Sequence, residues 1–249
     1  MSSVAVVLRG HLRTWNYCKQ HLFKLIDSEY SHVDWYMVTW RESVNDNRLQ
    51  HLYDDFQNRN FTLKIIEECS SNYTPWTVMG RLCMEVVEEI TTKKYSTIVE
   101  TRPDTYAVLS DDVHLPQVEP NSFYTTGYTL HPWDEYKTGA QDWFLMYDYH
   151  LFELYAKQRL NTVYIPHVGM LEIARQHDVA LHSLPNPGLY TDLLRPTVHD
   201  FGSLEPGHSH NWYIWDNNKR IELLNRLDIA VEDYLTGGAA ALNKAACFV

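Results

Sequence analysis

Three charged side chains follow one another closely where an apolar stretch of the sequence ends. The segment IVETRPD, residues 98–104, carries Glu100, Arg102 and Asp104. In α/β proteins ligands bind at the carboxyl ends of strands, where a carboxylate holds hydrated Mg²⁺ or Mn²⁺ and an arginine grips phosphate with two hydrogen bonds. We therefore predict Asp104 as a metal ligand and catalytic residue and Arg102 as a phosphate ligand. The alternative is a surface ion pair between the two.

A second basic segment, LRGHLRT at residues 8–14, follows the first apolar run of the chain. Gly10 would let the backbone approach a ligand closely, and Arg9 and Arg13 would neutralise a diphosphate. The segment lacks both G-x-G-x-x-G and G-x-x-x-x-G-K-[ST], which disfavours a dinucleotide oxidoreductase and a P-loop phosphotransferase. In the alternative interpretation, one arginine merely caps the edge of a sheet.

A third segment, HPWDEY at residues 131–136, places aromatic rings beside carboxylates. His131, Trp133 and Asp134 form a combination that recognises sugar rings by stacking and hydrogen bonding. We predict that they bind substrate. The alternative role for the aromatic residues is to anchor the loop between strands.

The first 105 residues alternate between strand and helix patterns. Strands are predicted at residues 4–8, 33–40, 61–66 and 97–100, with helices after the first three. This order predicts a mostly parallel sheet flanked by helices, with a ligand crevice at the carboxyl ends of its strands. The helix that begins at Thr74-Pro75 is expected to run for about four turns, since an apolar stripe continues to Ile90.

The second half of the sequence has a different pattern. Two strands without a helix between them are predicted at residues 122–126 and 143–147, separated by a polar, aromatic-rich loop suited to an acceptor site. Helices are expected at residues 149–158, 167–177 and 217–235, and a long loop at 184–215.

The composition restricts the location and the partners of the protein. A formal charge of −11 opposes binding to nucleic acid or anionic lipid, so a nucleic-acid partner would need a local basic patch. Cys18 and Cys83 fall on apolar helix faces, which favours buried thiols in a reducing compartment. No signal-peptide core or membrane-spanning run is present in the sequence. We therefore expect a cytoplasmic protein, in the host cytoplasm if the source is viral.

Four stretches together resemble small bacterial and viral GT-A glycosyltransferases of the capsular-polysaccharide and lipopolysaccharide type. They read VAVVLRGHLRTW, STIVETRPD, DWFLMYDYHLFELYA and IPHVGMLEIARQHDVALHSLP. In that group R-x-D stands in for D-x-D. The resemblance implies an α/β, GT-A-like (Rossmann-like) single domain over residues 1–236, with a tail at 237–249. Residues 1–105 would form the nucleotide-sugar-binding half and residues 106–236 the acceptor half.

The resemblance also assigns roles to individual residues. It implies that a nucleotide sugar lies across Arg9, Gly10 and Arg13, with a metal or diphosphate contact at Asp104. Glu172 matches a helical glutamate ahead of a short strand, on the substrate side. Because no second aspartate precedes Asp104 by two residues, a metal-free, arginine-assisted departure of the diphosphate stays open.

The general base implied for an inverting transfer is Asp142, which would deprotonate the acceptor hydroxyl. Asp134 and Glu135 compete for that role, and Asp142 could equally hydrogen-bond a backbone turn.

Three functions follow from the sequence. The first is transfer of a sugar from a nucleoside-diphosphate sugar to a saccharide or glycan. The second is a viral enzyme that glycosylates a hydroxymethylated base in DNA, which the net charge disfavours. The third is a non-catalytic α/β module that binds a nucleotide or a sugar.

Overall fold

The computed structural model describes eleven stretches of the chain, and these contain eleven strands and six helices. The described residues are 3–12, 15–41, 44, 46–66, 75–110, 112–126, 128–129, 139–140, 143–161, 166–185 and 189–193. The strands are β1 (Ser3–Arg9), β2 (His32–Trp40), β3 (Asn60–Ile66), β4 (Thr97–Thr101), β5 (Thr105–Leu109), β6 (Ser122–Thr125), β7 (Tyr128–Thr129), β8 (Gly139–Ala140), β9 (Phe144–Tyr147), β10 (Ala180–Ser183) and β11 (Leu189–Leu193). The helices are α1 (Trp15–Glu29), α2 (Asp46–Asp55), α3 (Pro75–Met84), α4 (Val87–Lys93), α5 (His150–Asn161) and α6 (Pro166–Gln176).

Seven of the strands form one mixed, mostly parallel sheet in the order β3-β2-β1-β4-β9-β6-β10. Six of them run in one direction, and β9 runs against both of its neighbours. The mostly parallel α/β sheet flanked by helices that the sequence predicts is confirmed.

The alternating side chains of β1 show why the sheet is covered on both faces. Ala5 and Val7 pack against α3, α4, α5 and α6, whereas Val4, Val6 and Leu8 pack against α1 and α2. All five side chains are fully buried. A continuous apolar run is the pattern expected of a strand covered on both faces, and burial of this apolar surface drives the two layers of helices onto the sheet.

The predicted long helix after Pro75 is wrong in one respect, because the structure divides it into α3 and α4. At the junction, the amide groups of Glu85 and Val86 bond to carbonyls three residues back, at 3.3 and 3.2 Å. The apolar stripe continues through the break, since Cys83, Val87 and Ile90 are all buried. Burial of the stripe is therefore compatible with two helices, and its periodicity does not require a continuous one.

Two small antiparallel ladders stand beside the main sheet. β5 and β11 pair with each other and pack on the α1 side, and β7 pairs with β8. β11 lies inside the predicted 184–215 loop, so that prediction is wrong for residues 189–193. The rest of that loop beyond residue 185, the helix at 217–235 and the tail at 237–249 lie outside the described residues.

Cys18 and Cys83 are buried thiols that form no disulfide bond, as predicted. In the described part of the chain, no helix combines the length and the apolar character that crossing a membrane requires.

Candidate functional site

The carboxyl edge of the main sheet brings together the two basic segments that the sequence singles out. β1 and β4 are parallel neighbours, with Leu8 opposite Thr101. The residues that follow, from Arg9 on one strand and from Arg102 on the next, therefore leave the sheet side by side. β9 runs the other way and starts at this same edge, where Phe144 lies opposite Thr101. Three segments of the chain thus meet at one edge.

Gly10 leaves an opening at this edge. Its φ is +117°, in a region that side-chain-bearing residues rarely adopt. Its amide donates to the carbonyl of Val38 at 3.0 Å, which holds the turn against β2. Apart from Gly10 itself and its two chain neighbours, no described residue has an atom within 4 Å of the position that a Cβ would occupy. The backbone here is therefore accessible to a ligand in close approach.

The Arg9 side chain lies inside the protein and belongs to a buried ionic cluster. It is 1% exposed, and its Nε donates to Oε1 of Glu100. The same oxygen accepts from Nη1 of Arg159 at 2.6 Å, while the hydroxyl of Tyr147 donates to Oε2 at 2.5 Å. Contact of Arg9 with a diphosphate stays a prediction. Because its guanidinium is buried and paired with Glu100, it would act on a diphosphate from inside the protein.

The two arginines keep the cluster charged. Burial alone would raise the pKa of Glu100, but the charges of Arg159 and Arg9 outweigh it and lower that pKa from 4.5 to about 2. Burial and the Glu100 charge raise the pKa of the Cys83 thiol to about 12 and hold the pKa of Tyr147 well above its ordinary value. Cys83 is therefore a structural thiol and not a nucleophile.

Arg102 and Asp104 form a second ion pair, one residue beyond the end of β4. Nε and Nη2 of Arg102 donate to Oδ1 and Oδ2 of Asp104, each at 2.8 Å. Asp104 is 1% exposed, whereas Arg102 is 21% exposed. The carboxylate of Asp104 is thus buried, and the guanidinium of Arg102 reaches the protein surface. The ion pair between Arg102 and Asp104 that the alternative interpretation expects is therefore present, although its carboxylate is buried. Its presence does not test the predicted functional role of either residue.

The other predicted site residues are only partly placed. Glu172 lies on α6, where its carboxylate accepts from Arg175 at 2.8 Å. Arg13, His131, Trp133, Asp134 and Asp142 lie outside the described residues, as does the competing Glu135. The β7–β8 ladder lies within the predicted acceptor loop, residues 127–141, and the loop prediction is wrong for these four paired residues.

The opposite edge of the sheet carries a polar groove that the sequence did not suggest. Its volume is about 610 Å³, and its lining includes Asp34, Arg59 and Tyr95. Asp34 accepts hydrogen bonds from Lys93, Tyr95 and Asn60. Although burial opposes it, these contacts lower the pKa of Asp34. Arg59 is bound to Asp27 through two hydrogen bonds of 2.7 and 2.6 Å. Asp34 and Arg59 are thus each paired already with an opposite charge from outside the groove lining.

Comparisons with known proteins yield only distant structural likenesses. No protein-family model matches the sequence, and no curated protein matches it. Two structures of the glycosyltransferase GlyE from Streptococcus pneumoniae TIGR4 are similar to the chain, one of them in the apo form. Sequence identity is 10%, and the match covers 75% of this chain and 46% of GlyE, with TM-scores of 0.44 (apo) and 0.45. This chain therefore spans less than half of GlyE. So distant a likeness carries no argument, and the fold described above rests on the strand pairing itself.

Sequence reasoning missed the partners that hold this edge together. Glu100 was noted as a charge at a strand end, but no role followed from it, and Arg159 was not singled out. A glutamate inside an otherwise apolar strand is the signal that could have revealed the cluster, because a buried carboxylate needs a cationic partner. Nothing in the sequence pairs it with Arg159, which lies 59 residues away on α5.

Proposed function

We propose that this chain is a glycosyltransferase that moves a sugar from a nucleoside-diphosphate sugar to a saccharide or glycan acceptor. The observation that carries the proposal is the position of Gly10 and Arg102, each directly after one of two neighbouring parallel strands at the carboxyl edge. That edge is where open α/β sheets bind nucleotides. Because no described residue beyond its chain neighbours crowds Gly10 and because Arg102 is partly exposed, a ligand there would meet both backbone and positive charge.

Local charge at this edge favours a diphosphate even though the chain is acidic. Arg102 presents a partly exposed guanidinium at this edge, whereas the carboxylate of its partner Asp104 is buried. The chain as a whole carries −11. A site of the opposite sign concentrates an anionic ligand that the rest of the surface repels.

The proposed reaction breaks one bond and forms another at the anomeric carbon. The oxygen of the acceptor hydroxyl bonds to that carbon, and the bond to the β-phosphate oxygen breaks with its electron pair leaving on the nucleoside diphosphate. In an inverting transfer, the hydroxyl proton passes to Asp142, our candidate base. The guanidinium of Arg102 would stabilise the negative charge that develops on the leaving group.

The remaining sequence predictions complete the proposed site. The turn that contains Gly10 and Arg13 would contact the diphosphate beside Arg102, and Arg9 would lie behind that turn in the buried cluster. His131, Trp133 and Asp134 would bind the sugar or the acceptor, and Glu172 would lie on the substrate side. The divalent Mg²⁺ or Mn²⁺ expected at Asp104 stays a prediction.

Release of free nucleoside diphosphate from nucleotide sugars tests the proposal. The full chain is incubated with UDP, GDP, CDP and dTDP sugars, and the products are separated by ion-exchange chromatography. We expect slow hydrolysis of one donor. Arg102→Met should slow it at least about tenfold, because a charged hydrogen bond is worth about 1.5–3 kcal/mol. Absence of release with every donor would refute the proposal.

Arg59→Met is a matched control for that experiment. Arg59 is 24% exposed and makes a two-point pair with Asp27 at the other edge of the sheet, much as Arg102 does with Asp104. Its removal should leave donor hydrolysis unchanged. Equal loss in both variants would show that general destabilisation, and not the carboxyl edge, accounts for the effect.

The two alternative functions give different outcomes in the same assay. A non-catalytic module would bind a nucleotide sugar and leave it intact. A DNA-modifying enzyme would add the mass of a sugar to duplexes that carry hydroxymethylated pyrimidines. We favour the saccharide acceptor because the net charge of −11 opposes binding to DNA.

A further inference from the structure

The turn that carries Arg102 and Asp104 is held from both sides by two threonines. The hydroxyls of Thr101 and Thr105 donate to one acceptor, the carbonyl oxygen of Trp143, at 2.7 and 3.2 Å. The amide of Thr105 also donates to the carbonyl of Arg102 at 3.0 Å, which closes the turn. Both threonines are fully buried. A carbonyl oxygen has two lone pairs, so Trp143 can serve both donors at once.

The same two threonines tie the turn to the start of β9. Trp143 directly precedes β9 and is 2% exposed. Its indole nitrogen donates to the hydroxyl of Thr191 on β11 at 3.3 Å. Buried hydrogen bonds therefore link the backbone around Arg102 to β4, to β5 and, through Trp143, to β11. A side chain that must be held in a precise orientation needs support of this kind.

The geometry of Asp104 does not fit a divalent metal. Mg²⁺ requires near-octahedral oxygen ligands and is held by carboxylates whose oxygens can reach it. Both oxygens of Asp104 accept from Arg102, and the side chain is 1% exposed. A cation at these oxygens would also lie against the positive guanidinium. Among the described residues, moreover, no group of three or more His, Cys, Asp or Glu side chains is placed to hold a metal.

Arg102 is suited to the contact that Asp104 cannot make. A guanidinium has five N–H donors in a planar fork, of which Asp104 takes two. The side chain is 21% exposed, at the same edge as Gly10. A carboxylate on one side of the fork fixes its orientation and leaves the other side for the oxygens of a phosphate.

We infer that Arg102 is the group at this edge that contacts the diphosphate, and that Asp104, Thr101 and Thr105 are positioning residues that aim it. Binding of the diphosphate then needs no divalent metal. The inference rests on the proposed function, because it takes a nucleoside diphosphate as the ligand. In this assignment, Asp104 orients Arg102 and does not bind a metal.

Calorimetric titration of UDP, GDP, CDP and dTDP into the full chain tests this assignment. Each nucleotide is titrated once with EDTA and once with excess Mn²⁺. For the nucleotide that binds, we expect the two dissociation constants to agree within about twofold. Arg102→Met should weaken binding about tenfold or more in both buffers, since the charged contacts are lost. Arg102→Lys should recover only part of it, because lysine cannot make the two-point contact.

The positioning residues are tested by pairs of variants that differ in one chemical group. Thr105→Val removes the hydroxyl and should weaken nucleotide binding several-fold, whereas Thr105→Ser keeps the hydroxyl and should restore it. Asp104→Asn should weaken binding equally with EDTA and with Mn²⁺. Thr97→Val, a buried threonine at the opposite end of β4, is the control and should not change binding. Circular dichroism at the titration temperature checks that each variant is folded.

Two results would overturn the inference, and they are distinguishable. If Mn²⁺ strengthens binding to the wild-type chain tenfold or more and Asp104→Asn abolishes that gain, Asp104 is a metal ligand and only the inference fails. If no nucleotide binds in either buffer, the inference fails together with the proposed function. If a nucleotide binds without metal through Arg102 but no donor is hydrolysed, the inference stands and the proposed catalysis fails.

Discussion

Two arginine–carboxylate clusters lie at the end of β4, only two residues apart, and they differ in what they leave exposed. In the first, Glu100 is enclosed by Arg9 and Arg159, and all three side chains are at most 1% exposed. In the second, Asp104 is just as buried, but its partner Arg102 is 21% exposed. One cluster faces only protein, and the other presents a cation to solvent.

The difference shows how one strand end serves both the core and a binding edge. Glu100 is the one charged residue of β4, and its carboxylate accepts a hydrogen bond from Arg159 on α5. Arg102 comes after the strand has ended and is aimed by its turn. We therefore expect substitutions in the first cluster to change stability, and those in the second to change ligand binding.

The largest expected effect is that of Glu100→Gln on stability. It leaves two buried arginines without their counter-charge, and breaking a buried ion pair in this way costs about 3–5 kcal/mol. Urea unfolding at neutral pH measures the change. Asp104→Asn, the matched change in the second cluster, should cost only about 1 kcal/mol because its arginine can turn to water. Equal costs would remove the distinction between the clusters.

Acid should remove the same stabilisation from the wild-type chain. Because the pKa of Glu100 falls from 4.5 to about 2 on folding, its contribution is complete above pH 4.5 and disappears as the pH drops toward 2. The shift corresponds to about 3 kcal/mol. The difference in unfolding free energy between the wild type and Glu100→Gln should shrink over that window. A difference that stays constant down to pH 2 would contradict the lowered pKa.

Gly80→Ala tests how tightly the first cluster is packed. A Cβ at Gly80 would meet the Cβ of Arg159 at 2.5 Å and the carbonyl oxygen of Ala156 at 2.8 Å. Helix α5 must then shift, at a cost of about 1–3 kcal/mol. Alanine in place of glycine otherwise stabilises a helix by about 1 kcal/mol. A net loss of stability in urea would therefore isolate the clash, and a net gain would show that α5 yields easily.

The smallest expected change in stability is that of Arg102→Lys. Lysine keeps a positive charge beside the buried carboxylate of Asp104, so the loss should be about 1 kcal/mol or less. The same variant should bind nucleotide more weakly than the wild type, because lysine cannot make the two-point contact, whereas Glu100→Gln should change stability more than affinity. Thermal unfolding with and without nucleotide measures both. A large loss of stability would place Arg102 with the structural cluster.

The centre of the sheet could be predicted because β1 is apolar without interruption and β4 carries a shorter apolar run. The runs at residues 4–8 and 97–100 have the composition of strands buried on both faces, and each lies where the sequence places it. β5 and β11 were missed for the opposite reason. They are short, pair only with each other and follow turn signals, so no local pattern distinguishes them from loop.

The candidate site could be predicted in outline but not in its contacts. Gly10, Arg102 and Asp104 stand out because glycine and paired charges end apolar runs. That Arg9 turns inward to Glu100, and that Thr101 and Thr105 share the carbonyl of Trp143, depends on contacts between residues 38 to 91 positions apart. Spacing along one sequence carries no record of such contacts.

Hydrogen exchange in the presence of the nucleotide that the calorimetric titrations select tests the central claim most directly. If the carboxyl edge binds the diphosphate, amides of residues 9–12 and 101–105 should exchange more slowly when it is added, and those of residues 31–34 and 57–60 at the opposite groove should not. Protection confined to the groove, or absent from both edges at saturating nucleotide, would contradict the account.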